Sequence, residues 1–298
     1  MLAPCAQVLF GGAFFANLNC MTHAFGLRPT EDPMRWELTL SDVNVTPGGA
    51  LQGGVAMGVA VDALEEVTGR QAIWSTGQYL SYAEPPGDVS IQLSPEVVGH
   101  KITQARARIT LGNTEVMSTF VALGSRDFEI SGTPIEKPLA PPVSECRFEE
   151  MARREVPSMF DKMTMFVAKG RPRAELNSVP GDGNSIFYVR IADGPRMVRA
   201  SDIAAIGDMM PMAYGDAFGA QVNGNSIDNT IRYGDRVETE WVMLDCHVFD
   251  LRRGFAHGIA HMWADDGTYL GTASQSTIMR HISLEGGLLR KAPRSKAT

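Results

Sequence analysis

The 298-residue sequence predicts an α+β protein built from two copies of one unit, each with a helix followed by long antiparallel strands. The first observation is a repeated hairpin pattern. Residues 105–125 and 258–280 each contain an alternating strand, a tight polar turn and a returning strand. The second is a small-residue helical stretch upstream of each hairpin, at 53–69 and 200–215. The third is length, which suits two domains of roughly 130–150 residues each.

The first unit is predicted to follow an N-terminal extension and to contain a half-buried strand, a buried helix and four further strands. Gly53, Gly54 and Gly58 lower the helix propensity, and therefore indicate that another backbone passes close by. Gly69 fits the C-terminal cap. The expected ranges are 1–33 for the extension, 34–126 for the unit, 34–43 for the first strand, 53–68 for the helix, and 71–83, 88–98, 100–111 and 114–124 for the strands.

The second unit is predicted to follow a proline-rich linker and to end before a basic tail. Four prolines keep the linker out of a central strand, so it connects the units as an extended segment. Ser201 is the expected N-cap of the second helix, and Asp202 suits its first turn. The expected ranges are 127–150 for the linker, 151–284 for the unit, 185–191 for its first strand, 199–214 for the helix, 226–233, 236–250, 254–264 and 268–282 for the strands, and 285–298 for the tail.

Composition argues against several classes of function. The net charge of −7 and the pI near 5.4 disfavour a nucleic-acid-binding face and binding to an anionic membrane surface. The four cysteines form no CxxC pair, so neither a zinc ribbon nor a redox motif is indicated. We expect reduced thiols, a cytoplasmic location, and neither a metal nor another cofactor.

The N-terminal stretch, residues 2–20, is mostly apolar and carries no charge. Because the first arginine is Arg28, the stretch lacks the basic region of a signal peptide. Three polar residues interrupt the apolar run, which makes it too broken for a membrane span. We interpret it as an accessory segment or an over-long start, with Met21 or Met34 as the alternative start.

A long buried helix wrapped by a curved antiparallel sheet is the hot-dog architecture, and two such units form a double hot dog with two long helices. Residues 51–58, LQGGVAMG, resemble the glycine-rich start of the first helix in the double hot-dog acyl-CoA thioesterases of the thioesterase II type. The resemblance covers most of residues 34–283. Three further segments resemble the C-terminal half of that family: IGDMMPMAYG at 206–215, NSIDNTIRYG at 225–234 and DGTYLGTASQSTIMR at 266–280.

The resemblance implies an acyl-CoA thioesterase that hydrolyses its substrate with an activated water. In the family an Asp, a Thr and a Gln hold that water, and the corresponding residues here are Asp208, Ser226 and Gln275. Ser226 keeps the hydroxyl of the expected Thr but loses its rotamer stiffness. Thioester hydrolysis requires a positioned water and a stabilised oxyanion, and a carboxylate base with hydrogen-bonding partners suits that task.

Further residues are predicted to contact the substrate. Gly53 and Gly54 would let a thioester approach free N–H groups at a helix N-terminus, where the dipole favours negative charge. Met209 and Met212 belong to a methionine run that would form an adaptable wall for an acyl chain. We expect acyl-CoA as the substrate, no nucleic-acid or membrane partner, and a homo-oligomer, either a dimer or larger.

Several alternatives stay open at this stage. Asp62, on the first helix, is a second candidate carboxylate. A non-catalytic acyl- or acyl-CoA-binding protein would keep the fold without the site. A hot-dog hydratase or dehydratase is disfavoured. Those enzymes resemble a pattern in which a histidine follows an aspartate by five residues, and no histidine follows Asp62 or Asp208 at that spacing. His257 and His261 lie about 13 Å apart on a predicted strand, which does not suit a shared metal.

Overall fold

The computed structural model describes residues 9–10, 13–14, 25–151, 157–281, 284–285 and 288–289. Within these residues the main body consists of three α-helices and one thirteen-stranded antiparallel sheet. The helices are α1 (Gly53–Thr68), α2 (Ala200–Gly207) and α3 (Pro211–Phe218). The strands of the sheet are β1 (Leu27–Pro29), β2 (Arg35–Thr39), β3 (Ala72–Tyr79), β4 (Asp88–Val98), β5 (Ile102–Leu111), β6 (Thr114–Gly124), β7 (Arg147–Phe148), β8 (Thr164–Lys169), β9 (Asn184–Arg190), β10 (Val222–Tyr233), β11 (Val242–Arg252), β12 (Phe255–Trp263) and β13 (Tyr269–His281).

Smaller elements surround this body. Short 3-10 helices span Val143–Glu145, Met159–Lys162 and Arg173–Glu175. Two-residue strands pair Leu9–Phe10 with Ala13–Phe14, Arg196–Met197 with Glu238–Thr239, and Leu284–Glu285 with Leu288–Leu289.

The sheet repeats one arrangement on either side of its middle. The strand order is β1-β2-β4-β5-β6-β3-β10-β13-β12-β11-β9-β8-β7, so the strand that follows each helix in sequence meets its counterpart at the β3–β10 junction. There Thr76 and Thr230 are directly opposite each other, and their hydroxyls share a hydrogen bond of 2.7 Å. One large antiparallel sheet with few helices agrees with the predicted α+β class.

Helix α1 begins and ends at the predicted residues. Its N-cap is Gln52, whose Oε1 accepts a hydrogen bond from Val55 N at 2.6 Å, and Gly69 ends it in the left-handed region at φ 63°. The helix is buried on nearly all sides, as its composition predicts. A Cβ at Gly54 or at Gly58 would overlap the backbone of α2. The predicted close backbone approach is therefore confirmed, and the approaching element is α2.

The second unit does not contain the second long helix that we expected over residues 199–214. Helix α2 ends at Gly207, helix α3 begins at Pro211, and a turn separates them. Pro211 has no N–H to donate to the carbonyl of Gly207, and its ring crowds that carbonyl, so one continuous helix cannot form. Among the described residues there is thus one long helix, α1.

The start of α2 also differs from its prediction. Arg199 occupies the N-cap position that we assigned to Ser201, and Asp202 Oδ2 accepts a hydrogen bond from Arg199 N at 2.9 Å. Asp202 therefore satisfies the first backbone donor, as its place in the first turn predicts. Ser201 lies inside the first turn, and its hydroxyl is used elsewhere.

Segments outside the two units contact them. Residues 25–33 fall in the predicted extension, yet Leu27 pairs with Leu38 across β1 and β2, and Phe25 is buried. In the linker, Lys137 Nζ donates to the carbonyl oxygen of Ala264 at 2.7 Å, which ties this segment to the second unit. Most of residues 1–20, and of the tail 285–298, lies outside the described residues. None of the helices in the described part of the chain has the length and apolarity that crossing a bilayer requires.

Candidate active site

Asp208 lies where the second helix breaks. It is the C-cap residue of α2, and its backbone N–H donates to the carbonyl oxygen of Ala204 at 3.0 Å. The turn before α3 places the carboxylate against strands β10 and β13 on one side and against the N-terminus of α1 on the other. The helix break caused by Pro211 is therefore also what positions the proposed base.

The three residues that the sequence assigns to the water are in mutual contact. Asp208 Oδ1 accepts hydrogen bonds from Ser226 Oγ, at 3.0 Å, and from Gln275 Nε2. The same amide nitrogen of Gln275 donates to Ser226 Oγ at 2.8 Å. Thr277 Oγ1 donates to Gln275 Oε1 at 3.1 Å, which fixes the orientation of the amide. The carboxylate, hydroxyl and amide thus form a closed triangle of hydrogen bonds, and Thr277 stabilises it through its bond to the amide oxygen of Gln275.

The other carboxylate oxygen contacts the first unit. Asp208 Oδ2 accepts a hydrogen bond from the backbone N–H of Gly54 at 2.9 Å, in the first turn of α1. A Cβ at Gly54 would approach the Cβ of Asp208 to 2.7 Å, so glycine is required for this contact. The N-cap Gln52 adds a second tie, since its Nε2 donates to the carbonyl oxygen of Ala205 at 3.1 Å. The site therefore combines a carboxylate from one half with a helix N-terminus from the other.

The surroundings tune the acidity of this carboxyl. Burial raises the pKa of Asp208 to about 6, against the opposing effect of the hydrogen bonds from Gly54, Ser226 and Gln275. A group with this pKa is ionised at neutral pH and still has a useful affinity for a proton. That combination is what a general base requires.

Gly53 opens the space beside the start of α1. A Cβ there would lie 2.8 Å from the ring of Tyr79, on β3. The absence of a side chain lets the Tyr79 ring pack onto the helix N-terminus next to Gly54 and Asp208. Burial, with a further contribution from Asp208, raises the pKa of Tyr79 well above its usual value, so its hydroxyl stays protonated.

The two methionines predicted to form an acyl wall have different surroundings. Met209 is buried in the core. The sulfur of Met212 lies 3.3 Å from Arg173 Nη2, on the side of α3 that faces the 3-10 helix. Their contact with substrate stays a prediction.

Comparison with known proteins identifies the C-terminal half. Residues 138–279 match the model of the acyl-CoA thioesterase C-terminal domain family. These residues belong to the acyl-CoA thioesterase family. The segment contains Asp208, Ser226 and Gln275, and the resemblance recognised in the sequence is confirmed. No curated protein matches the chain.

Solved structures extend the likeness to both halves of the chain. A protein of Novosphingobium aromaticivorans, provisionally assigned as a thioesterase, is 26% identical with a TM-score of 0.75, covering 85% of this chain and 98% of its own. A hot-dog protein of unknown function from Alicyclobacillus acidocaldarius is 17% identical with a TM-score of 0.74, covering 88% and 100%. The tesB protein of Mycobacterium avium subspecies paratuberculosis is 15% identical with a TM-score of 0.69, covering 86% and 96%. The last two establish the hot-dog fold.

The register of two strands in the C-terminal half corresponds to that of two strands in the first half. In β10 and β13, Ser226 opposes Thr277, a bulge follows, and Asn229 opposes Gln275. In β3 and β6, the equivalent pairs are Ala72 with Leu123 and Ser75 with Val121, with a bulge at the same place. The equivalents of Ser226 and Gln275 in the first half are therefore Ala72 and Val121, which carry neither a hydroxyl nor an amide.

Asp62 is the counterpart of Asp208, and it has different partners. Its Oδ2 accepts from Ser201 Oγ at 2.7 Å and its Oδ1 from Ser201 N at 3.2 Å, at the N-terminus of α2. Arg199 Nε lies 3.4 Å from the carboxylate and also contacts Glu66. Burial raises the pKa of Asp62 to about 7, with Arg199 acting in the opposite direction. The Asp62 carboxylate is therefore hydrogen-bonded to a buried serine and paired with an arginine. It has no counterpart of the triangle that Asp208 forms with Ser226 and Gln275.

Two polar residues near the candidate site were missed by sequence reasoning. Tyr79 lies beside Gly53, and Asn229 lies directly opposite Gln275 on the neighbouring strand. Neither residue belongs to a motif segment that assigns it a role. The sequence signal for these residues comes only from comparing the two repeated units. Tyr79 follows Ser75 by four residues in the first unit, and Tyr233 follows Asn229 by four residues in the second.

Proposed function

We propose that the protein hydrolyses an acyl-CoA thioester to a carboxylic acid and free CoA, with Asp208 as general base and Ser226 and Gln275 as the groups that order the attacking water. The observation that carries this proposal is the hydrogen-bonded triangle of the three side chains within a segment that matches the acyl-CoA thioesterase family. The pKa of Asp208, raised to about 6, suits the role of base.

In this mechanism the attacking water is held by Asp208 and Ser226. Gln275 uses both amide hydrogens on Asp208 and Ser226, and Ser226 uses its hydroxyl hydrogen on Asp208. The remaining oxygen lone pairs on Asp208 and Ser226 accept hydrogen bonds from the two hydrogens of a water. One lone pair of that water is then free to attack the thioester carbon, while its proton passes to Asp208.

The helix N-terminus of the first half serves the developing negative charge. Gly53 begins α1, and its N–H is one of the donors that a helix leaves without an internal partner. This N–H and the helix dipole stabilise the oxyanion of the tetrahedral intermediate. When the carbon–sulfur bond breaks, the bonding electron pair goes to sulfur, which takes the proton held by Asp208, so CoA leaves as a free thiol and Asp208 is again a carboxylate. Because CoA is a thiol with a pKa of about 8–9, it leaves readily.

One panel of substrates tests the proposal. Purified protein is incubated with short, medium, long and aromatic acyl-CoAs in the presence of a chelator, and the released thiol is measured. We expect thiol release from at least one of them, and its loss in Asp208→Asn. The absence of release from every member of the panel, with acyl-CoA binding retained, would favour the non-catalytic acyl-binding alternative.

Assembly and location are proposed on separate grounds. Exposed apolar side chains on three adjacent strands, Phe249 on β11, Phe255 on β12 and Ile278 on β13, support a homo-oligomer that covers them. Light scattering in solution tests this, and the mass of a single chain would contradict it. Within the described residues Cys146 and Cys246 are unpaired, which supports a cytoplasmic location.

The domain boundaries are proposed as the sequence predicts them. The units 34–126 and 151–284, with the linker 127–150 between them, are supported by the strand order on each side of the β3–β10 junction. Limited proteolysis tests the linker, where cleavage should release two fragments of those sizes. Cleavage that falls first inside either unit would contradict the boundaries.

A further inference from the structure

The sheet is split beside Ser226. Strand β10 pairs with β13 along its whole length, but with β3 only over residues 228–232. After β3 the chain turns towards β6, where Leu80 N donates to the carbonyl oxygen of Val116 at 2.9 Å. Within the described residues, 222–227 of β10 therefore have no strand beside them on the side of the first half, and Ser226 lies in this stretch.

A hydrogen bond between two side chains crosses this split. Asn225 Nδ2, on β10, donates to Tyr82 Oη, in the segment that follows β3, at 2.6 Å. The Tyr82 residue is 60% exposed and Asn225 is partly exposed. Because water can replace either partner of an exposed hydrogen bond, this bond opens at a small cost in free energy.

The other end of the β3–β10 junction, on the Asp62 side, is closed by a buried ion pair. Arg236 follows Tyr233 by three residues, as Tyr82 follows Tyr79. Both terminal nitrogens of Arg236 donate to Glu65, at 2.7 and 2.5 Å, and the arginine side chain is only 12% exposed. Equivalent positions thus hold a buried pair of charge-assisted bonds at one end and an exposed neutral bond at the other. The difference indicates that the split beside Ser226 is made to open.

The remaining sides of the hydrogen-bonded triangle are covered by packing. Helix α3 lies over the start of β10, since a Cβ at Gly224 would lie 3.4 Å from Pro211 Cγ. The N-terminus of α1 is bonded to Asp208 through Gly54, and Gln275 is fully buried on β13. A substrate that reaches water held on Asp208 therefore passes between β3 and β10.

We propose that Tyr82 and Asn225 form a gate across the split, and that both side chains bind the pantetheine arm of the substrate once the bond between them opens. The inference rests on the proposed function, since it concerns access to the same site. The thioester lies at the triangle and the charged nucleotide end of CoA stays in water, so the arm between them occupies the split. A short ethylene link joins the first amide of the arm to the sulfur, which brings that amide to Asn225, the residue before Ser226. The Asn225 side chain donates to its oxygen, and the Tyr82 hydroxyl accepts from its N–H.

Blocking the split tests whether the substrate passes there. Asn225→Cys is introduced into the full chain and labelled with a bulky maleimide. Cys246 is buried, and the background replaces the other native cysteines by serine: Cys5, Cys20 and Cys146. We expect labelling to lower kcat/KM for acyl-CoA by at least about tenfold, because the label occupies the place of the arm. Gln71→Cys is the matched control, since the exposed Gln71 precedes Ala72 as Asn225 precedes Ser226, and its labelling should leave kcat/KM unchanged.

A second measurement tests the binding of the arm. Two small thioesters carry the same acyl group, one on N-acetylcysteamine, which contains the first amide of the arm, and one on a plain alkanethiol of equal length. The wild type should prefer the thioester with the amide in kcat/KM by about three- to tenfold, the effect of one hydrogen bond. Tyr82→Phe and Asn225→Ala should each reduce that preference, whereas Gln71→Ala should keep it.

The outcomes separate this inference from the proposed function. Unchanged hydrolysis of acyl-CoA by labelled Asn225→Cys overturns the gate, although the thioesterase proposal stands. A preference for the amide that persists in both Tyr82→Phe and Asn225→Ala overturns the binding of the arm. If Asn225→Cys does not fold, as judged by circular dichroism, Tyr82→Cys is labelled in its place.

Failure to hydrolyse any acyl-CoA rejects the proposed function, and the rate of labelling then decides the gate. A non-hydrolysable thioether of CoA should slow the reaction of Asn225→Cys with the maleimide and leave that of Gln71→Cys unchanged. Equal labelling of Asn225→Cys with and without the thioether overturns the gate.

Discussion

Asp208 accepts a hydrogen bond from the backbone N–H of Gly54 at 2.9 Å, although the two residues are 154 positions apart and belong to different halves of the chain. The reciprocal contact joins Asp62 to Ser201 N at 3.2 Å. Each helix carries a carboxylate that is bonded to the N-terminus of the other. In both contacts a carboxylate oxygen accepts a hydrogen bond from a backbone N–H near the start of the facing helix, and the side chains around the two carboxylates differ.

Replacing the two carboxylates tests that distinction. Asp208→Asn should lower kcat by about 10²–10⁴-fold, the range for losing a general base. Asp62→Asn should change kcat little, because Ala72 and Val121 give that carboxylate no partner for a water. Steady-state kinetics on one acyl-CoA measure both. If Asp62→Asn is the damaging change and Asp208→Asn is silent, the assignment of the base is wrong.

The pH dependence of the reaction should report Asp208. Because the pKa of this carboxyl is raised to about 6 and the base must be ionised, kcat/KM should rise with pH through about 6 and then level off. The acid limb should be absent from the residual activity of Asp208→Asn. A profile that is flat between pH 5 and 7 in the wild type, on a substrate that does not itself titrate, would argue against this base.

The hydroxyl and the amide should have smaller and ordered effects. Gln275→Ala should reduce the rate less than Asp208→Asn does, and Ser226→Ala least, because a water can replace a hydroxyl. Both groups donate to the carboxylate and lower its pKa, so each replacement should move the acid limb to higher pH. A rate loss without any movement of the limb would indicate that the side chain acts only through packing. Thermal unfolding of each variant serves as the control for folding.

The pH dependence of the free energy of unfolding should report the protonation of Asp62. Burial raises the pKa of this carboxyl from the ordinary 3.8 to about 7 in the folded protein, so between these pH values the native state holds a proton that the unfolded chain has lost. Its contribution to stability is therefore present below about pH 4 and is lost as pH rises towards 7. The free energy of unfolding of Asp62→Asn, minus that of the wild type, should increase across this window. Denaturant titrations at pH 4.5 and 7.5 measure the difference, and a constant value contradicts the raised pKa.

The helix contact can be tested through its glycines. Gly54→Ala and Gly58→Ala both place a Cβ against the backbone of α2, and each should destabilise by about 1–3 kcal/mol. Only Gly54→Ala also displaces Asp208, so it should lower kcat beyond what Gly58→Ala does. Thermal unfolding and kinetics on the same samples separate the two effects. Equal losses of kcat in both variants would show that Gly54 has no special role at the carboxylate.

Much of this arrangement can be predicted from local sequence. Helix α1 and the four strands after it follow from apolar pattern and glycine placement, because these elements take their periodicity from burial. Asp208, Ser226 and Gln275 follow from short segments that resemble the family. The break before Pro211 has a local signal, since a proline inside a helical pattern ends or kinks the helix.

Other features depend on contacts that no local pattern encodes. The bond between Gly54 and Asp208 joins residues from different halves, and only the packing of α1 on α2 brings them together. The positions of Ala72 and Val121 become meaningful only when strand register aligns the halves. Asn229 lies in the same segment as Ser226, yet its burial directly opposite Gln275 is visible only in three dimensions.

The equivalent bulges at Ile73 and Ile227 mark one strand arrangement that occurs twice in a single polypeptide. This repetition affects how the sequence can evolve. In an assembly of identical single units, every substitution reaches both carboxylate positions at once. Here each position has its own codons, so loss of the polar residues at one leaves the other intact. Substitutions around Asp62 can therefore favour stability, through the contacts of Arg199 and Ser201 with this carboxylate. Substitutions around Asp208 remain constrained by the proposed binding of substrate. Fusion of the units into one polypeptide thus permits a division of labour that symmetry would forbid.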